Sequence, residues 1–234
     1  MAGGKLSPRQ KMINLMYLVF IAMLAMNMSK QVLSAFGFMN EKLTDANATS
    51  ETRNDATYAS LATKAADQPD KYKVHNQKAQ QVQALSIDFT NHIEKMKSTL
   101  LEDIEDPTNY ESMDSEDKGN TYFFKGDNVT PEGQAFIDKI NNYRTKVAEL
   151  LGEDYKDIVT NVNKRFDTSD QKIEDGTQPW INNRYEGFPL ISTITNLSQM
   201  QADVKATENE MLTSMVQGQL ESDVSMTHYT TILV

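Results

Sequence analysis

Residues 7–43 read SPRQKMINLMYLVFIAMLAMNMSKQVLSAFGFMNEKL, and no charged side chain occurs between Lys11 and Lys30. At about 1.5 Å rise per residue, a helix over residues 12–29 spans roughly 27 Å, close to the hydrocarbon thickness of a bilayer. Ser7 followed by Pro8 supplies an N-cap and an N1 proline, so the helix should start there with Arg9 in its first turn. The stretch predicts a transmembrane helix over residues 12–35, preceded by a short N-terminus, residues 1–11. Lys5, Arg9 and Lys11 precede the span with no acid beside them, and a net charge of −10 leaves −13 for the remainder. That asymmetry orients the N-terminus to the cytoplasm and the chain beyond about Lys30 to the periplasm of an inner membrane. A cleavable signal peptide is the competing reading. It would require a cut after Ser34, where no A-x-A site is present.

The pattern does not end with the apolar run. Leu15, Leu18, Ala22, Ala25, Ser29, Val32, Phe36, Met39 and Leu43 recur at alternating steps of three and four, a heptad seam that crosses the membrane boundary. Its middle members are small, and small residues let helix backbones approach closely within lipid, where packing drives association. The seam therefore predicts a homodimer. Met12, Met16, Val19, Met23 and Met26 form an equally regular stripe, so periodicity leaves two faces open.

Beyond the span, residues 36–225 read as a periplasmic helical bundle. Val82, Leu85, Phe89, Ile93, Met96, Leu100 and Ile104 mark one long amphipathic helix that ends before Pro107, with a shorter polar helix around Tyr58 and Leu61 before it. Thr130 and Pro131 cap a helix through Phe136, Ile140, Tyr143, Val147 and Leu150, stopped by Gly152. Ile158, Val162 and Phe166 mark another, and a last helix opens at Pro189 and passes through Ile194, Leu197, Val204, Met211, Met215 and Leu220. Residues 107–130 and 167–188 read as loops. Residues 226–234, MTHYTTILV, are β-branched and aromatic, a strand signal without a partner; they predict the first strand of a β domain that would follow. The fold class is all-α, with that strand as an appendix.

Composition narrows the chemistry. There are no cysteines, which excludes disulfides, thiolate metal sites and cysteine nucleophiles. An acidic chain without a basic stripe argues against nucleic acid as a partner. His75, His92 and His228 lack metal-ligand spacing. The acid pairs Glu102–Asp103 and Glu116–Asp117 lie in charge runs of the kind that usually face solvent. No phosphate loop, dinucleotide fingerprint or nucleophile elbow occurs, so neither an enzyme nor a cofactor is expected. Trp180 and Tyr185 sit in the second loop, either as a recognition patch or as a plug closing one end of the bundle.

The informative chemistry lies near the membrane. Arg9 stays charged at any physiological pH and cannot carry a proton, yet it can hold or release a carboxylate across a helix interface. No Asp or Glu occurs before Glu41. An ion-coupled role for the span would thus need an acid from another protein, with Arg9 as counter-charge and Asn14 and Tyr17 as polar neighbours further in. The alternative is that Arg9, Lys5 and Lys11 only set topology.

The opening MAGGKLSPRQKMINLMYLVFIAMLAMNMSKQVLSAFGFMNEK resembles the start of the GldM family, single-span inner-membrane subunits of the gliding-motility and type IX secretion apparatus. The helical segment resembles that family's first periplasmic domain, and the last strand its entry to later β-sandwich domains. The resemblance implies a proton-motive-force-driven motor in which two GldM spans sit inside a pentameric GldL ring. A GldL glutamate would titrate, Arg9 would be its partner, and Tyr17 falls in the matched motif. Motion would pass through the periplasm to outer-membrane components. Two other readings of the same pattern are a membrane-anchored helical sensor, which should show a second span, and a secreted periplasmic binding module, which requires cleavage.

Overall fold

In the computed structural model, which describes residues 7–173 and 176–230 with the side chains of 22–29 and 218–230 outside the description, the first helix does not stop where its apolar run ends. Helix α1 is Pro8–Asp67, 60 residues without interruption, about 90 Å at the usual rise. Ser7 Oγ accepts a hydrogen bond from the Gln10 N–H at 3.3 Å, as the expected cap. The short polar helix expected around Tyr58 and Leu61 is therefore the far end of α1, because no proline intervenes and a helix tolerates the single Gly37. α1 stops at Gln68, next to a proline that disfavours helical geometry in the residue before it. Pro69 then opens α2, Pro69–Leu101, with Val82, Phe89, Ile93, Met96 and Leu100 on its buried stripe.

The two segments expected as loops contain short elements. A single 3-10 turn, Tyr110–Ser112, is followed by α3, Asp117–Phe123, and a hairpin of β1, Phe124–Lys125, with β2, Asn128–Val129. Helix α4, Pro131–Leu151, begins as its sequence predicts, with Thr130 Oγ1 accepting from the Gly133 N–H at 3.0 Å. It ends at Gly152, whose φ of 61° suits a residue without a Cβ. Helix α5, Lys156–Arg165, precedes a second hairpin of β3, Gln171–Ile173, with β4, Gly176–Gln178. Then come α6, Trp180–Tyr185, and α7, Leu190–Thr230. Both hairpins are antiparallel, Phe124 facing Val129 and Gln171 facing Gln178. The all-α expectation thus becomes a mostly helical fold with a few short strands, each too brief for a period of two to register in sequence.

Two further expectations change. The strand expected over 226–234 is not found: α7 remains helical to Thr230, and 231–234 lie outside the described residues. A helix satisfies its backbone within one segment, whereas a lone strand leaves its own unpaired. No helix among the described residues is long and apolar enough to cross a membrane. Of residues 12–35, expected to do so, the side chains of 22–29 lie outside the description.

Side-chain pairings fix the topology. Thr195 of α7 bonds the Phe36 carbonyl of α1, Ser198 bonds Asn40, Asn54 bonds the Lys205 carbonyl, and Tyr58 bonds Glu208. Both numbers rise together, so α1 and α7 run parallel. The single-residue joint at Gln68 makes α2 antiparallel to α1. His92 stacked on Phe136 and the Phe89 ring tilted against Tyr143 place α4 antiparallel to α2. Aromatic rings fill the centre: Phe89, Tyr143 and Phe166 in one group, Phe123, Phe136, Trp180 and Tyr185 in another. Trp180 is 8% exposed, packed in the way a plug would be.

Candidate coupling site

Arg9, Asn14 and Tyr17 lie on the first three turns of α1, all exposed, and none makes a side-chain hydrogen bond or ion pair among the described residues. One helix carries all three, with no hydrogen bond between their side chains. Of the expected seam, Leu15, Leu18 and Val32 are exposed, and Ala22, Ala25 and Ser29 have side chains outside the described set. Phe36 packs against the chain's own core while Met39 is exposed. The face that α1 turns to its own bundle is centred instead on Leu33, Gly37, Asn54, Tyr58 and Leu61. All described side chains upstream of Leu33 are exposed.

Where α1 enters the bundle, residues 102–116 strap it. The Tyr110 ring lies directly on Gly37, where an added Cβ would overlap it. Tyr110 donates from its hydroxyl to Glu41 Oε1 at 2.6 Å, its ring meets Phe38 edge-on, and Glu111 pairs with Lys30 at 3.3 Å. On its other side the strap receives the α7 start: the Leu190 N–H donates to the Ser115 carbonyl at 2.9 Å and the Ile191 N–H to the Met113 carbonyl at 3.3 Å. Helix starts leave free N–H groups, and here the strap takes two. One segment thus ties the entry of α1 to the start of α7.

Below the strap the α1–α7 seam is polar. Asn40 Oδ1 accepts from Ser198 Oγ at 2.7 Å, Asn47 Nδ2 donates to the Ser198 carbonyl at 3.0 Å, and Asn54 Nδ2 donates to the Lys205 carbonyl at 2.9 Å. The three asparagines are spaced by seven, so they stay on one helix face. Sequence reading missed them, although the spacing was available as a signal. Sliding one helix past the other would break all these bonds at once and strand buried polar groups.

At the lower end sits Glu208, 2% exposed. Tyr58 donates to its Oε1 at 3.0 Å, while Oε2 has no hydrogen-bond donor among the described residues and lies 3.6 Å from Lys205 Nζ. Lys205 also pairs with Glu51 of α1 at 3.4 Å. Burial pushes the Glu208 carboxyl above its ordinary value, and Lys205 only partly offsets that. Burial also raises the Tyr58 hydroxyl, with the Glu208 charge adding to it. Nearby, Ser86 of α2 and Tyr143 of α4 share a buried hydrogen bond at 3.2 Å. No group of three or more metal-ligating side chains occurs among the described residues.

The model of the GldM N-terminal domain matches residues 31–218. The chain belongs to the GldM family. The matched region starts where the strap engages α1, one residue past Lys30, and includes the whole polar seam. No curated protein matches the chain. Membership ties this GldM-family chain to gliding motility and type IX secretion.

Proposed function

We propose that this chain is the coupling subunit of a proton-driven inner-membrane motor that powers type IX secretion and gliding. In this reading the run at residues 12–35 spans the membrane with its N-terminus in the cytoplasm, as a homodimer inside a GldL ring. The ring glutamate titrates and Arg9 is its counter-charge. The bundle makes no chemical step of its own and hands motion on to outer partners across the periplasm.

The observation that carries this reading is the uninterrupted α1. A motor placed in a membrane needs a stiff element between the driven segment and the working domain, and a helix without a proline or break supplies one. The absence of any acid before Glu41 fits a division of labour in which another subunit carries the proton.

The test is to soften that element. Six Gly/Ser residues inserted between Ser29 and Lys30 leave the uncharged run of residues 12–29, itself roughly 27 Å long as a helix, and the bundle unchanged and remove the rigid joint. Secretion and gliding should fall at least about tenfold while the subunit persists at normal membrane levels, whereas an inserted helical heptad should keep substantial activity. Full activity with the flexible insert would sink the coupling role.

A further inference from the structure

Away from the α1 seam, the end of α5, the β3 strand, α6 and α7 enclose a cavity of about 270 Å³. Trp180, Tyr185 and Met200 give it apolar lining, and Asn196 and Gln199 add amide groups. Its five charged residues are not equivalent. Arg165 is engaged by Glu210, and Asp167 by Arg144 at 3.6 Å. Asp203 accepts from Gln199 Nε2 at 3.1 Å and feels the charge of Arg165. Lys164 and Arg184 are exposed, and neither has a carboxylate partner among the described residues. The lining thus carries a net +1 in a chain of −10. The Trp180 indole N–H makes no hydrogen bond among the described residues and is open to solvent rather than fully buried. A concave site with an aromatic surface and a few unmatched polar groups is the ordinary form of a small-ligand pocket.

We propose that this cavity binds a carboxylate carried on a small apolar body, as at the last residue of a peptide, with Lys164 and Arg184 holding the carboxylate and Trp180 and Met200 the apolar part. The cations supply charge-assisted hydrogen bonds, with the Arg184 fork suited to a two-oxygen acceptor. The volume holds one residue-sized group and excludes a folded partner. The inference is independent of the motor reading.

Trp180 is the chain's only tryptophan, so its fluorescence reports directly on the cavity. The whole chain in detergent is titrated with N-acetylphenylalanine, which is transparent at the exciting wavelength. A saturable change with a dissociation constant on the order of 1 mM is expected for a ligand of this size. N-acetylphenylalanine amide and acetate should each bind about tenfold more weakly, one lacking the charge and the other the apolar body. Arg184→Gln and Lys164→Gln should each weaken binding about fivefold, and both side chains are exposed, so the fold should persist by circular dichroism. Lys146→Gln, on α4 at a different groove, should change nothing. No saturable response, an amide or acetate that binds as well as the acid, or unaltered binding in both cavity variants would overturn the assignment.

Discussion

Glu208 shows how one side chain can be held against its own preference. Its folded-state carboxyl value lies above the ordinary 4.5, because burial outweighs the attraction of Lys205. A raised value means that the folded protein holds the proton more tightly than the unfolded chain. The corresponding stability is fully present below the unfolded value and is lost as pH rises through the folded one. Glu208→Gln keeps an acceptor for Tyr58 without the charge, so its stability relative to the native chain should grow as pH rises from about 4 to neutrality in urea unfolding. A difference that stays flat across that range would remove Glu208 as the titrating group. Glu208→Ala instead leaves the Tyr58 hydroxyl without its partner and should cost about 2 kcal/mol. Arg9 is the opposite case, an exposed charge with no internal task in the structure. Arg9→Ala should abolish gliding and secretion at normal membrane levels of the subunit, and Arg9→Lys should restore them only in part, because an ammonium lacks the planar fork. Normal activity in Arg9→Ala cells would reduce Arg9 to a topology signal.

At the scale of elements, the strap and α1 fit through an absence, the missing side chain at Gly37. Gly37→Ala should expel the Tyr110 ring and cost about 1–3 kcal/mol. In a Tyr110→Ala background the obstruction is gone, and the same substitution should stabilise the helix by up to about 1 kcal/mol. Denaturant unfolding of the four proteins checks that change of sign, and additive costs would mean that ring and glycine are not in contact. Helices were the legible part of this sequence: the stripes of α2, α4 and α5 and the Thr130 and Ser7 caps stand where their residues put them. The continuity of α1 was not legible, because residues 44–57 are polar and carry no apolar stripe. Their order comes from Asn47 and Asn54, which bond the α7 backbone. The short hairpins and α3 and α6 were hidden for another reason, since elements of two to seven residues carry too little periodicity to stand out. Of the coupling site, Arg9 and its neighbours were visible as a charge pattern. Tyr110, Glu208 and Lys205 were not, because their roles depend on partners more than fifty residues away.

For the molecule as a whole, the parallel course of α1 and α7 decides how it would carry a load. The chain enters the bundle at the Gly37 end of the seam and leaves it, through α7, past the Glu208 end. Tension between those two points pulls the helices along their common axis in opposite directions. The asparagine bonds, the Tyr58–Glu208 bond and the Lys205–Glu51 pair are then loaded together, in shear. Had α1 and α7 been an antiparallel hairpin, both ends would emerge side by side and the same pull would unzip the seam one bond at a time. The parallel pairing gives this domain the geometry of a lap joint, whose resistance grows with the length of its overlap.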